Sequence, residues 1–225
     1  MIPKLIHQSW QTTDLSTYGK IAVRSQNSWK RLYPDFEYKF WTDEDIAKYI
    51  KKQPLKYQDT FHTLDKNIKK MDFFRYLILY EYGGIYVDMD FIARTRIENK
   101  ILLDYGFIGY KAHRPTDGTN FTRRNPKATS EQNAPIITDE CGRWALGQAF
   151  FACEQGHEGI QLLIDDIAKN RNSKLHPLDH TGPEKIHNIF VNNNLMFSKS
   201  TFIFSMLEMS NGMGTVGGHH RNHKW

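Results

Sequence analysis

The sequence has only two cysteines, Cys141 and Cys153, in 225 residues. That excludes a disulfide framework and a zinc-binding spacing, and leaves room for one disulfide at most. No apolar run approaches the roughly 20 residues that a membrane span needs. The opening Met1-Ile2-Pro3-Lys4-Leu5-Ile6-His7 does not have the layout of a signal peptide. The expected location is therefore the cytoplasm, or the periphery of a membrane, with no transmembrane segment. A dense basic block is also missing. The formal charge of +5 is dispersed, and its nearest clusters are Lys51-Lys52, Lys69-Lys70 and Arg123-Arg124. With no motif to support it, nucleic-acid binding is excluded from the expectations. A mild positive field does suit a phosphate-bearing substrate. Internal repeats and signs of disorder or coiled coil are absent too, so the composition is that of an ordinary globular chain, long enough for one α/β domain.

What the sequence has in quantity is aromatic residues, at 13%. Most of them read as core, although some flat rings suit bases and sugar faces. Leu5 to Trp10 reads as a buried strand, and a helix follows from about Arg24 to Leu32. Pro34 ends that helix, because a proline disfavours the α region at the residue before it. Phe36 to Trp41 alternates as a strand does. Thr42 reads as an N-cap for a short helix to about Lys51, with Asp43, Glu44 and Asp45 in its first turn. Met71 to Tyr82 carries a broad apolar helical face, and Gly83-Gly84 supplies a left-handed stop. Ile85-Tyr86-Val87 is then a short buried strand that delivers Asp88-Met89-Asp90 at its carboxyl end. Further strands are expected near 107–110, 149–152 and 201–206, and helices near 159–168 and 183–191. His113 to Asn133 reads as a long loop. Strands alternating with helices predict a doubly wound, mostly parallel sheet. Ligands sit off the carboxyl ends of such strands, where Trp10 and Asp88 both fall.

Two carboxylates one residue apart suit a hard divalent cation, which takes oxygen ligands and neutralises a diphosphate. On an extended backbone both would face one side, with Met89 turned into the core. The same pattern also describes a solvated turn after a strand. Asp72 and Arg75, three apart on a helix, share a face; taken alone, they read as a surface ion pair.

Taken together, Asp72-Phe73-Phe74-Arg75 and Tyr82-Gly83-Gly84-Ile85-Tyr86-Val87-Asp88-Met89-Asp90 resemble the DXD-containing sugar-binding signature of glycosyltransferase family 32. That family includes yeast initiating α-1,6-mannosyltransferases, and the signature is shared with the glycosylating domains of large clostridial toxins. Ile2 to Trp10, Thr181-Gly182-Pro183 and the His219-His220…Trp225 end resemble further family segments. Lys224 departs from the serine that often precedes the last tryptophan. The resemblance implies a single GT-A-type, Rossmann-like α/β domain over 1–225. It implies a retaining, metal-dependent glycosyltransferase using Mn2+ or Mg2+. The enzyme would move a hexose or N-acetylhexosamine from a UDP- or GDP-sugar to a glycan, glycolipid or protein acceptor.

The same resemblance assigns roles. Asp90 would bind the metal directly and Asp88 would do so through water while reaching the donor. Asp72 and Arg75 would contact the donor sugar and diphosphate. Trp10 would stack on the base, and Tyr86 would line the donor pocket; apart from the resemblance, Gln148 is expected at the sugar pocket from its place on the predicted strand before Phe150. His220 would be a third metal ligand and Trp225 would touch the diphosphate. The glycine-rich 212–218 stretch would make 212–225 a flexible lid; a solvated terminus is the alternative. His7 reads as a satisfied strand histidine. Two other functions stay open at this level: a metal-dependent phosphoesterase or nucleotidyltransferase, and a non-catalytic nucleotide-sugar-binding module.

Overall fold

The computed structural model describes residues 1–113, 137–139, 142–205 and 217–219. β1 (Leu5–Ser9) is the expected first strand, and Ile6, His7 and Gln8 are buried on both of its faces. α1 spans Lys20–Leu32, opening four residues earlier than the apolar pattern suggests. Gly19, at φ 111°, makes the turn into it. Ala22, Ser25, Ser28 and Trp29 recur at helical spacing and form its buried face. β2 (Glu37–Trp41) pairs in parallel with β1, His7 lying opposite Lys39.

α2 (Asp43–Ile50) opens with the capping arrangement that Thr42 implied. Asp45 N donates to Thr42 Oγ1 at 3.2 Å, and Thr42 N donates to the Asp45 carboxylate at 3.0 Å. Such a cap stabilises a helix by about 1 kcal/mol. α3 (Leu55–Thr63) was not expected from the polar run that forms it; Tyr57 and Phe61 dock it on the core.

α4 (Asn67–Tyr82) is the central helix, and its middle is buried nearly all round. Gly83 and Gly84 follow with φ of 64° and 95°. A Cβ at Gly84 would lie 2.5 Å from Leu5 O, so only glycine allows α4 to hand over directly to a strand packed against β1. That strand is β3 (Gly84–Val87).

The remaining elements are β4 (Phe91–Ala93), α5 (Asn99–Asp104), β5 (Phe107–His113), β6 (Ile137–Asp139), β7 (Gly142–Leu146), β8 (Phe150–Cys153), α6 (Glu158–Lys169), α7 (Pro177–His180), α8 (Pro183–Asn192), β9 (Thr201–Ser205) and β10 (Gly217–His219). The sheet order is β2-β1-β3-β8-β5-β7-β6, with β9 also on β5. The pairings β2-β1, β1-β3 and β5-β9 are parallel, as the alternation of strands and helices implied. Strands β8, β7 and β6 enter antiparallel and make the sheet mixed.

Alternation along the strands sends side chains into two apolar layers. Tyr86 and Phe151 face α4, α6 and α8, together with Phe73, Phe74, Ile164 and Phe190. Ile85, Val87 and Phe150 face α1, with Trp29 and Tyr33. Each fully buried phenylalanine contributes roughly 2–3 kcal/mol of apolar transfer. Among the described residues no helix is long and apolar enough to cross a membrane. Cys153 is a buried thiol on β8, pushed up in pKa by burial, and Cys141 lies outside the described residues. Residues 114–136, most of the expected long loop, lie outside them as well.

Candidate active site

The Asp88-Met89-Asp90 run sits on a turn, which corrects the expectation of extended backbone there. Asp88 N donates to Ala149 O at 2.8 Å, ending β3, and Phe91 N donates back to Asp88 O at 3.0 Å. The chain therefore reverses within Asp88-Met89-Asp90. Asp88 faces Arg75, and the charges of Asp90 and Asp88 both act on the Tyr18 phenol. Met89 does point inward, packing with Trp10, Leu15, Tyr18 and Ala22.

α1 and β1 grip this turn from behind. Gln8 Nε2 donates to Asp88 O at 3.3 Å, and Tyr38 fixes the same amide by donating to its Oε1 at 2.6 Å. Ser25 Oγ and Trp29 Nε1 both donate to Phe91 O at 2.8 Å. Ala93 N donates to Ser28 Oγ at 2.9 Å. Ser25 and Ser28, on the buried face of α1, are thus the clamps for the segment carrying the carboxylates.

α4 presents Asp72 and Arg75 to the turn. Both are 2% exposed, so they are not the surface pair that their spacing alone suggested. Arg75 Nη1 lies 3.2 Å from Asp88 Oδ1, and Nη2 lies 3.3 Å from Asp72 Oδ1. Nη1 also donates to Gln148 O at 3.1 Å, and the guanidinium lies 4.6 Å from the centre of the Tyr86 ring. The Tyr86 hydroxyl in turn lies 3.4 Å from Ser9 Oγ. Burial raises the Asp72 carboxyl to about 7, against the pull of Arg75 and of the Thr181 hydroxyl. Two polar atoms of this buried group make no hydrogen bond: Asp72 Oδ1 and Arg75 Nε. A buried charge whose hydrogen bonding is incomplete is expensive unless a ligand completes it.

Sequence reasoning did not anticipate Tyr18 or Tyr76, and it noted Thr181 only as part of a short motif. Tyr18 has its phenol pushed up by burial and by the charges of Asp90 and Asp88. Thr181 Oγ1 donates to Asp72 Oδ2 at 2.8 Å. The Thr181 carbonyl accepts from Tyr76 Oη at 2.6 Å and from Gln148 Nε2 at 3.3 Å. The Gln148 amide, expected to line the pocket, is thereby engaged within the site's framework, where it also meets Tyr76 Oη.

Trp10 ends β1 beside the turn. Its indole donates to Thr17 Oγ1 at 3.0 Å and meets Tyr18 edge-on, ring centres 4.4 Å apart. His7 is a satisfied core residue, as expected. Trp41 Nε1 donates to its Nδ1 at 3.1 Å, so Nε2 carries the proton and donates to Gly83 O at 3.0 Å. Burial lowers its pKa to about 4.

The C-terminal segment returns to this neighbourhood. β10 pairs antiparallel with β4, Gly217 opposite Ala93 and His219 opposite Phe91, directly after Asp90. His220 and Trp225 lie outside the described residues. Among the described residues no three His, Cys, Asp or Glu side chains converge on one point. The carboxylates of Asp88 and Asp90, on one turn, are the oxygen donors that a hard cation takes. Such ions keep several waters and are held by one or two carboxylates together with substrate phosphates.

Residues 20–108 match the family model described as the glycosyltransferase sugar-binding region containing a DXD motif. Asp88-Met89-Asp90 lies within the matched segment. Inositol phosphoceramide mannosyltransferase 3 of Schizosaccharomyces pombe is 40% identical over 89 residues, covering 40% of this chain and 24% of that protein. The initiation-specific alpha-1,6-mannosyltransferase of Candida albicans is 30% identical over 103 residues, covering 44% of this chain and 27% of that protein. The match thus spans about a quarter of either relative's length. Among solved structures, the PaToxG glycosyltransferase superposes with a TM-score of 0.54 at 13% identity, over 88% of this chain and 71% of that one. The fold is accordingly of the GT-A kind, the one expected from the sequence.

Proposed function

We propose that this chain is a retaining glycosyltransferase that moves a hexose from a nucleoside-diphosphate sugar to an acceptor hydroxyl, with a divalent cation, Mn2+ or Mg2+, at Asp88 and Asp90. The observation that carries this reading is the buried Asp72–Arg75 pair beside the partly exposed Asp88, with Asp72 Oδ1 and Arg75 Nε making no hydrogen bond within the protein. The names of the two relatives favour mannose as the sugar and, for one of them, a phosphoinositol lipid as the acceptor. An acceptor of that kind places the work at a membrane surface, and the mild positive charge suits it.

In this reading the bond between the anomeric carbon and the diphosphate oxygen breaks, and its electron pair leaves with the diphosphate. The acceptor oxygen bonds to the anomeric carbon on the same face, and its proton passes to the leaving phosphate. A bound cation supplies charge neutralisation for the diphosphate. Arg75 adds a fixed positive charge in a dry site, where a charge aimed at the developing anion is strongest. Asp72 Oδ1 accepts from a sugar hydroxyl. Trp10 and Tyr86 offer flat rings beside the base and sugar. His220 would add a further ligand to the cation, and Trp225 would touch the diphosphate.

The test is nucleotide release from a panel of GDP- and UDP-sugars, with Mn2+ and with chelator, for the wild type and Asp90→Asn. The expected result is cation-dependent release from one donor, lost in the variant while its melting temperature holds. Undiminished turnover by Asp90→Asn overturns the assignment.

A further inference from the structure

Thr181 occupies the turn between α7 and α8, 109 residues from Asp72 in sequence, and it is fully buried. Both its side chain and its backbone are committed to the site. The hydroxyl has one proton. It lies 2.8 Å from Asp72 Oδ2 and 3.4 Å from Pro177 O, so the carboxylate takes it. The carbonyl accepts from Tyr76, one helical turn beyond Asp72 on α4, and from Gln148, whose own carbonyl accepts from Arg75. A threonine fixed at both ends is also stiff at its first side-chain torsion.

The turn itself cannot relax easily. A Cβ at Gly182 would lie 2.7 Å from Leu178 Cα, and Pro183 starts α8 immediately. The effect on Asp72 is selective. Oδ2 is taken by Thr181, while Oδ1 makes no hydrogen bond and lies 3.3 Å from the Arg75 guanidinium. A carboxylate free to rotate would have no preference for which oxygen it offered.

We propose that Thr181 is a positioning residue of the donor site: its hydroxyl, held by the α7–α8 turn, engages Asp72 Oδ2 and so presents Oδ1 to a hydroxyl of the donor sugar. This rests on the donor-site reading above. It assigns the Thr-Gly-Pro segment a defined task, which is to aim a carboxylate at the sugar and not at the nucleotide. Thr181→Val keeps the shape and removes the hydroxyl. Thr181→Ser keeps the hydroxyl.

Calorimetric titrations with GDP-mannose and UDP-glucose, and with GDP and UDP alone, all in Mn2+, separate the sugar from the nucleotide. Thr181→Val is expected to weaken binding of the sugar nucleotide by about 10-fold or more, the size of a lost hydrogen bond that aims a charged group. Binding of the bare nucleotide should stay within about twofold of wild type, and Thr181→Ser should restore the sugar nucleotide. In an Asp72→Asn background, Thr181→Val should add nothing further. Equal losses for nucleotide and sugar nucleotide would make Thr181 merely structural and overturn the inference. No loss for either ligand would overturn it while leaving the donor-site reading intact. Failure of the wild type to bind any of the four ligands would remove the donor-site reading and this inference with it.

Discussion

Replacing Asp72 by asparagine should stabilise the protein, and increasingly so as the pH rises. The carboxyl is fully enclosed between α4 and the α7–α8 turn, and burial lifts it from 3.8 to about 7. A carboxyl raised in the folded state contributes stability that is fully present below its unfolded value and is lost as the pH climbs through the folded value. At pH 5 the unfolded chain has already released this proton and the folded chain has not, so about one pKa unit of the difference is expressed. By pH 8 about three units are. At about 1.4 kcal/mol per unit, the added penalty between pH 5 and 8 is on the order of 3 kcal/mol. The asparagine variant has no proton to lose at this position, so its advantage over wild type should grow by that amount across the window and level off above it. The Thr181 hydrogen bond is already contained in the folded-state value, and His7 titrates equally in both proteins. Urea unfolding of both proteins at pH 5, 6, 7 and 8 measures the difference directly. A difference that stays flat with pH, or that falls, would refute the reasoning. It would mean that Arg75 and Thr181 fully compensate the buried charge.

Two further predictions concern the scaffold. His7 is buried neutral, with its pKa lowered to about 4 from 6.5, so its contribution is present above 6.5 and is lost as the pH falls towards 4. His7→Gln should therefore gain on the order of 3 kcal/mol relative to wild type between pH 7 and pH 4. A parallel pH dependence of the two proteins in chemical denaturation would contradict this. Gly84→Ala should cost on the order of 3 kcal/mol or more, because the new Cβ meets Leu5 O at 2.5 Å at a positive φ. An unchanged urea midpoint would show that β1 and β3 can separate there without strain.

The parts of the fold that could be read in the sequence are those with a local cause. Thr42 with Asp45 fixes the start of α2, and the Gly83-Gly84 pair fixes the end of α4, whatever else the chain does. The parts that escaped depend on partners. α3 has little apolar periodicity of its own and is held by Tyr57 and Phe61 against the core. β4 is three residues long, and β7 exists as a strand because β5 and β6 flank it. The antiparallel entry of β8 beside β3 is likewise a matter of tertiary pairing, invisible to period or propensity.

The site divides in the same way. Asp72, Arg75, Asp88 and Asp90 stand within one short stretch, 72 to 90, and share one helix–turn–strand unit, so their convergence follows from local geometry. What the stretch could not announce is that its charges are buried, since burial comes from α1, α7 and α8. Three consequences follow from that enclosure. The Asp72–Arg75 pair, unremarkable on a surface, becomes a strained group with open hydrogen-bonding atoms. The serines of α1 become clamps on the carboxylate turn. Thr181 acquires a role through a contact that spans nearly half the chain. The first of these costs the folded chain energy, and a ligand group that completes its hydrogen bonding recovers part of that cost as binding. A more stable Asp72→Asn protein with weakened sugar-nucleotide affinity would therefore be one result seen from two sides. The carboxylate that the folded chain tolerates least is the one the donor sugar needs.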